Sequence, residues 1–250
     1  MVDVAISLAD RGVTIEALSR HGLLPLSHIS RAGSRAAPRV QIAGLRPRGT
    51  VRELRRAGRT AAAWQDVIDG LRPRSNELWQ GLSLDEQEQF LRHLRRYWDA
   101  HRHRIAPATA AELEALLAAG TLRVRAATVV RIAAGQTGVE LEVAPRGGGE
   151  RVVLHADVVV NCTGPGDAID RQPPALLASL FAERLACPGP HRLGLGVTER
   201  GEVAGSNGMI YALGALRRGQ LWETVAIGEI RAQAAALASA WATKSPKLRR

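Results

Sequence analysis

The feature that most constrains this chain is the unbroken apolar run Val158-Val159-Val160, which stops at once in Asn161-Cys162-Thr163-Gly164. A run with no polar alternation reads as a strand buried on both faces, and parallel sheets are built of such strands. The expectation is an α/β chain. The opening agrees with it: Val4, Ala5, Leu8 and Ala9 share one helical face between Met1 and Asp10. Gly12 suits the left-handed position that ends a helix. Val13, Ile15 and Ala17 then alternate with Thr14 and Glu16 as a strand that runs into Ser19-Arg20-His21-Gly22. Helix, tight turn, strand and polar loop form the second half of a βαβ unit. The expectation is that the unit's first strand and the loop into its helix are absent.

Between these ends the pattern is helical. Ser30 to Gly49 is rich in Arg, Gly and Pro and reads as loop. Val51, Leu54 and Ala57 start one helix, and Ala61, Trp64, Val67 and Ile68 mark another. Ser83 and Glu86 have the spacing of a capping box, in which each residue satisfies the other's backbone N–H. The helix they open carries Phe90, Leu91, Leu94 and Trp98 on one side and Arg92, Arg95, Arg96, Arg102 and Arg104 on the other. Pro107 lies beyond its end, and Ala110 to Ala119 is a further helix closed by Gly120. From Leu122 the period falls to two: Leu122, Val124, Val129 and Val130 read as strand, as do Val139, Leu141 and Val143 against Glu140 and Glu142. Pro145 to Gly149 reads as a hairpin turn and Val152 to Leu154 as the return strand. A helix over Leu176–Leu185, a strand over Met209–Leu213, an Ala-rich helix over Glu223–Trp241 and a basic tail from Lys244 to Arg250 complete the reading.

Composition removes several classes. Only Cys162 and Cys187 occur, with no CxxC, so neither a disulfide framework nor a cysteine-rich zinc site is encoded. His101 and His103 lie two apart and do not face each other on a helix, so no metal is expected there. No run reaches the roughly 18 apolar residues of a membrane span, and the N-terminus lacks a basic segment followed by an apolar core. The expected compartment is the cytoplasm. The net charge of +10 is almost all arginine, spread along 250 residues, with lysine only at 244 and 247. A nucleic-acid binder clusters its basic residues on one face, so nucleic acid is not the expected partner.

Three polar clusters stand where open α/β sheets bind ligands, at the carboxyl ends of strands. Ser19 and Arg20 follow the first strand, where an arginine suits the 2′-phosphate of NADP and an acidic residue suits the free hydroxyl of NAD. The alternative is a solvated arginine. Thr163 and Gly164 follow the Val run, where small residues let backbone and cofactor approach closely; the alternative is a plain turn. Gly214, Trp222 and Thr224 precede the last helix, whose N-terminus offers free N–H groups; the alternative is a helix docked for stability.

In this order the clusters resemble the two-dinucleotide-binding flavoproteins, and most closely the FAD/NAD(P)-binding proteins related to the FAD-dependent urate hydroxylase and to the nitrosuccinate-forming aspartate N-monooxygenase. Four stretches carry the resemblance. They are Met1 to Ala5 with Ser19 to Pro25; Phe90 to Leu94 through Trp98-Asp99 and His101 to Arg104; Val160 to Pro165; and Tyr211 to Gly214 with Trp222-Glu223 and Glu229 to Arg231. It spans almost the whole chain but only about the back half of a typical member, without either glycine-rich phosphate loop, and Ala215 stands where many flavoproteins have an acidic residue for the ribityl chain.

The resemblance implies a Rossmann-like FAD/NAD(P)-binding flavoprotein fold, incomplete at the N-terminus. Residues 1–40 and 121–164 would belong to the NAD(P)-binding domain, 41–120 to a helical insert, 165–243 to a C-terminal FAD segment and 244–250 to a tail. It implies an oxidoreductase of the flavin monooxygenase type, in which NADPH or NADH passes a hydride to FAD. Ser19, Arg20, Thr163, Gly164, Gly214, Trp222 and Thr224 would lie at the cofactors, and the arginines at 95–104 could face a small anionic substrate or solvent. Two alternatives stay open: a non-catalytic interaction protein that forms oligomers or joins a separate N-terminal half, and a basic nucleic-acid binder.

Overall fold

The computed structural model describes residues 1–29 and 46–244 apart from 165 and 167, together with 40, 42 and 44. Most of the expected loop at Ser30–Gly49, the tail beyond Lys244, and Pro165 therefore lie outside the described residues. In chain order the elements are α1 (Val2–Ala9), β1 (Ile15–Ser19), α2 (Pro47–Thr60), α3 (Trp64–Leu71), α4 (Ser75–Gln80), α5 (Leu84–His93), α6 (Arg95–Arg102), α7 (Pro107–Ala118), β2 (Leu122–Ala134), β3 (Val139–Pro145), β4 (Val152–Ala156), α8 (Ala175–Ala182) and α9 (Ile227–Lys244). The chain is mixed α/β. It divides into two compact units: Met1–Arg35 with His93–Gly164, and Ala36–Arg92 with Pro165–Arg250. The boundary at Arg92/His93 falls inside the stretch 41–120, so α6 and α7 belong with the sheet. No helix of the described residues is long and apolar enough to cross a membrane.

The first unit holds a four-stranded sheet in the order β1-β2-β3-β4. The long strand β2 serves two partners in succession. Leu122 to Ala126 pair in parallel with Ile15 to Ser19, and Ala127 to Ala134 pair antiparallel with Pro145 to Val139 around a register shift at Val129/Arg131. A parallel pair cannot be closed by a hairpin, and the chain returns to β2 through α7. That helix starts at Pro107 rather than Ala110, because proline at the first helical position lacks only an N–H that would have no partner there. Leu113 of α7, Leu122 of β2, Ala17 of β1 and Val2 and Ala5 of α1 form one buried cluster. Full burial of a leucine contributes about 1.5–3 kcal/mol.

The sheet overturns the reading of the Val158 run. Val158 is 74%, Val159 41% and Val160 52% exposed, and none of them is in a strand. An apolar run becomes a strand only where a neighbouring strand offers a hydrogen-bond ladder. Here β4 ends at Ala156 and no described strand pairs with the run.

The second unit is helical with irregular connections. The capping box forms as spaced: the Ser83 N–H donates to Glu86 Oε2 at 3.0 Å and the Glu86 N–H to Ser83 Oγ at 3.3 Å. The helix it opens stops at His93, and α6 is a separate helix from Arg95. Trp79 of α4 lies 5.0 Å from Trp222 and 6.0 Å from Phe90 of α5 by ring centroids, and its indole N–H donates to Gly219 O at 3.1 Å. Asn76 and Glu223 exchange two bonds: Asn76 Nδ2 donates to Glu223 O at 2.9 Å, and Glu223 N donates to Asn76 Oδ1 at 2.8 Å. Two expectations fail beside this core. Met209–Leu213 forms no strand but one isolated bridge, Glu202 to Tyr211, among the described residues, and left-handed backbone at Gly205, Asn207 and Gly208 turns the chain just before it. The last helix starts at Ile227, not Glu223, since Glu223 and Thr224 are buried in the preceding loop. In α8 the helix stops at Ala182, short of Leu185, with Arg184 left-handed at φ 58°.

Candidate functional site

In the first unit, the residues after β1 meet elements far away in sequence. Ser19 Oγ accepts the Gly22 N–H at 2.9 Å, which closes the turn Ser19-Arg20-His21-Gly22. Gly22 has φ +61°, and a Cβ there would sit 3.3 Å from Ala126 Cβ and N, so the turn depends on glycine. Ala126 joins the elements at this end of the sheet: it pairs with Ser19, leaves no room for a side chain at Gly22, and its carbonyl accepts the Arg146 N–H at 2.8 Å. This brings the Arg20–His21 turn and the start of the β3–β4 turn to one place. From α6, Arg96 Nη1 stands 2.7 Å from His21 Nδ1, and the Tyr97 ring meets the His21 ring edge-on at 6.3 Å.

The electrostatics of this end are one-signed. His21 is held below its ordinary pKa by burial first, then by Arg96, Arg146 and Arg20. Arg96 is also lowered, by burial first and then by Arg20 and Arg146. No carboxylate is among the groups that move either one. Arginine has no acceptor, so His21 Nδ1 accepts from Arg96 and the neutral ring carries its proton on Nε2. Glu16, the acid on β1, is already engaged by Arg125, whose Nε and Nη2 donate at 2.6 and 3.2 Å.

Thr163 and Gly164 lie exposed beyond the Val run. The Thr163 N–H and hydroxyl both donate to Asn161 Oδ1, at 3.1 and 2.7 Å, and Gly164 is left-handed at φ +76° with open space where a Cβ would stand. The turn is accessible and its small residue is needed for conformation.

In the second unit, Gly214, Trp222 and Thr224 lie on one loop, and a single side chain from α9 ties it together. Gln233 Oε1 accepts the Gly214 N–H at 2.9 Å, Gln233 Nε2 donates to Thr224 Oγ1 at 2.8 Å, and the Thr224 hydroxyl donates to Gly214 O at 2.9 Å. Thr224 is fully buried, and Trp222 is buried against Trp79 and Phe90. The Gly214 N–H and C=O and the Thr224 hydroxyl are thus engaged within the protein, and these residues shape the loop from inside.

The sequence pointed to Ser19 and Arg20, gave Arg96 only as one of the arginines at 95–104 that could face an anionic substrate or solvent, and did not assign roles to His21, Arg146 or Gln233. For Arg96 the signal was the basic helix face. For Gln233 there was none, since one glutamine in an Ala-rich helix carries no pattern.

No protein-family model matches the sequence, and no curated protein matches it. Among solved structures the chain is similar to ornithine hydroxylase (PvdA) from Pseudomonas aeruginosa, with a TM-score of 0.53 and 18% sequence identity over 96% of this chain and 49% of that one. The reduced form of the same enzyme gives a TM-score of 0.54 at 18% identity. The chain spans about half the length of these structures, at 49%. At this identity the likeness is one of fold.

Proposed function

We propose that this chain is a portion of a flavin-dependent NAD(P)H oxidoreductase of the monooxygenase type, as the family resemblance implied. The observation that carries the reading is the fold likeness to ornithine hydroxylase over 96% of the chain. The first unit fits a nicotinamide nucleotide: its β1 end presents Arg20 beside His21 and Arg96, with no acid among the groups that perturb His21 and Arg96. The second unit fits a flavin less directly. The Gly214 N–H and C=O and the Thr224 hydroxyl are bonded to Gln233 and to each other, and Ala215 offers no side-chain acceptor for a ribityl hydroxyl, so their part is to hold the 214–224 loop in shape. No step is assigned to these residues. Flavin, when bound, would supply the redox chemistry, as cofactors do for reactions that side chains cannot perform.

The test is a visible absorption spectrum of the purified protein with and without added FAD. A flavin band that co-elutes with the protein and bleaches with NADPH is the expected result. Absence of the band after reconstitution rejects flavin binding by this chain.

A second reading, an interaction protein, is favoured by one observation. Val158–Val160 is exposed and β1 is paired on one side only among the described residues. An open strand edge is a template for another chain. A sharp monomer peak in size-exclusion chromatography would count against it.

A further inference from the structure

We infer that the outer edge of β4 is an interface for a second copy of this chain, which pairs with it antiparallel about Leu154 and continues the sheet from one copy into the other. The inference goes beyond the flavin reading, and it rests on neither the open edge of β1 nor the Val158 run.

β4 is the last strand of the sheet, and among the described residues no backbone hydrogen bond outside its ladder with β3 engages Val152–Ala156. A row of free N–H and C=O groups is a template for another strand, and proteins block such edges with proline, lysine or a bulge. Val152–Ala156 has no proline or lysine, and its pairing with Val139–Val143 runs without a register shift. Val152 and Val153 are 43% and 51% exposed at this edge.

The sequence around Leu154 selects a second copy as the occupant. Successive side chains of a strand point to opposite faces. Leu154 and Ala156 pack toward Ala127, Leu141 and Val143, so Val153 and His155 fall on the other face, where His155 Nδ1 lies 3.8 Å from Glu140 Oε1. Extended by one residue at each end, the strand adds Arg151 and Asp157 to that second face. A twofold axis through Leu154, perpendicular to the sheet, keeps each face on its own side. It sets Leu154 opposite Leu154 of the second copy and Val152 opposite Ala156, so the apolar face continues across the axis. On the other face it sets Val153 opposite His155 and, twice over, Arg151 opposite Asp157. An axis through Val153 or His155 instead puts Arg151 opposite His155 or Val159 and loses both charge pairs. Both charges are accessible. Arg151 uses Nη1 on Glu142 at 2.9 Å, and its side chain is 61% exposed. Asp157 is exposed, with no ion pair or side-chain hydrogen bond among the described residues. In strand addition the main-chain ladder supplies affinity and the side chains supply specificity, and opposite charges directly across a ladder stabilise it where like charges destabilise it.

The experiment is sedimentation velocity of the 250-residue chain over a concentration series. A dimer that grows with concentration is expected. Arg151→Asp and Asp157→Arg each set like charges opposite each other twice, and each should weaken the dimer at least about tenfold. An equimolar mixture of the two variants regains two opposite-charge pairs, so mixed dimers should form at concentrations where neither variant pairs with itself. Thermal melting of each variant separates lost association from lost folding. Asp157→Arg removes no side-chain bond among the described residues, so it carries the test by itself if Arg151→Asp, which gives up the bond to Glu142, unfolds. A chain that stays monomeric at every concentration, a dimer unchanged in the folded variants, or a mixture of folded variants in which no dimer returns overturns the interface. None of these outcomes depends on a flavin band, so the interface and the flavin reading stand or fall separately.

Discussion

The β1 end of the first unit and the 214–224 loop of the other unit are alike in sequence, each a short polar cluster after an apolar segment, and they are built in opposite ways. Around Thr224 the hydroxyl, the Gln233 amide and the Gly214 backbone close on one another: hydroxyl to carbonyl, amide to hydroxyl, backbone N–H to amide oxygen. Around His21 three arginines gather, the Arg96 Nε–H meets no acceptor among the described residues, and no acid is among the groups that perturb Arg96 or His21. A closed network rigidifies a fold, whereas an incomplete one of a single charge favours a ligand of the opposite charge. The difference separates a loop whose side chains close on one another from a surface that leaves a donor open among the described residues.

The largest expected effect tests the support. Trp79→Ala removes a buried ring that touches Trp222, Phe90 and His191. It should lower the stability of the second unit by about 3–5 kcal/mol, read by denaturant unfolding. If the loss is under about 1 kcal/mol, the aromatic cluster is not the core of that unit.

Next comes Thr224→Val, which keeps the shape and removes the hydroxyl. It leaves Gly214 O without its donor and Gln233 Nε2 without its acceptor, at a cost of about 1–3 kcal/mol. The comparison predicts a lower Tm with flavin affinity unchanged in the folded protein. Unchanged Tm with lost flavin affinity would show instead that Thr224 touches the cofactor.

The β1 end should reveal itself through pH. His21 faces Arg20, Arg96 and Arg146 together with the Tyr97 ring, and its folded pKa lies below the ordinary 6.5. The unfolded chain therefore takes up the proton first as pH falls, and stability declines from about 6.5 down through the lowered folded value. A His21→Gln variant should flatten that limb of the stability profile. An identical limb in the variant would place the effect elsewhere.

Much of the local structure was legible because it is decided within a few residues. The capping box at Ser83 and Glu86 formed as its spacing required, and so did the hairpin between β3 and β4. The smallest predicted effect concerns the reading that failed. Val159→Thr should change stability by less than about 0.5 kcal/mol, as at an ordinary exposed position, measured by thermal melting. A loss of more than about 1 kcal/mol would restore the buried strand.

What the sequence determined by itself was the order and kind of the elements: an opening helix and strand, a helical middle, a change to strand period at Leu122, and a closing Ala-rich helix. These follow from side-chain periodicity and from residues that cap or break helices, all of them short-range. Tertiary structure alone decided which polar groups were left open. Arg96 and His21 are 75 residues apart, Asn76 and Glu223 are 147 apart, and a single glutamine on α9 closes the Thr224 network. Whether Val158–Val160 became a strand was also a tertiary matter, because a strand exists only when another backbone completes its hydrogen bonds, and no pattern within the run supplies that partner.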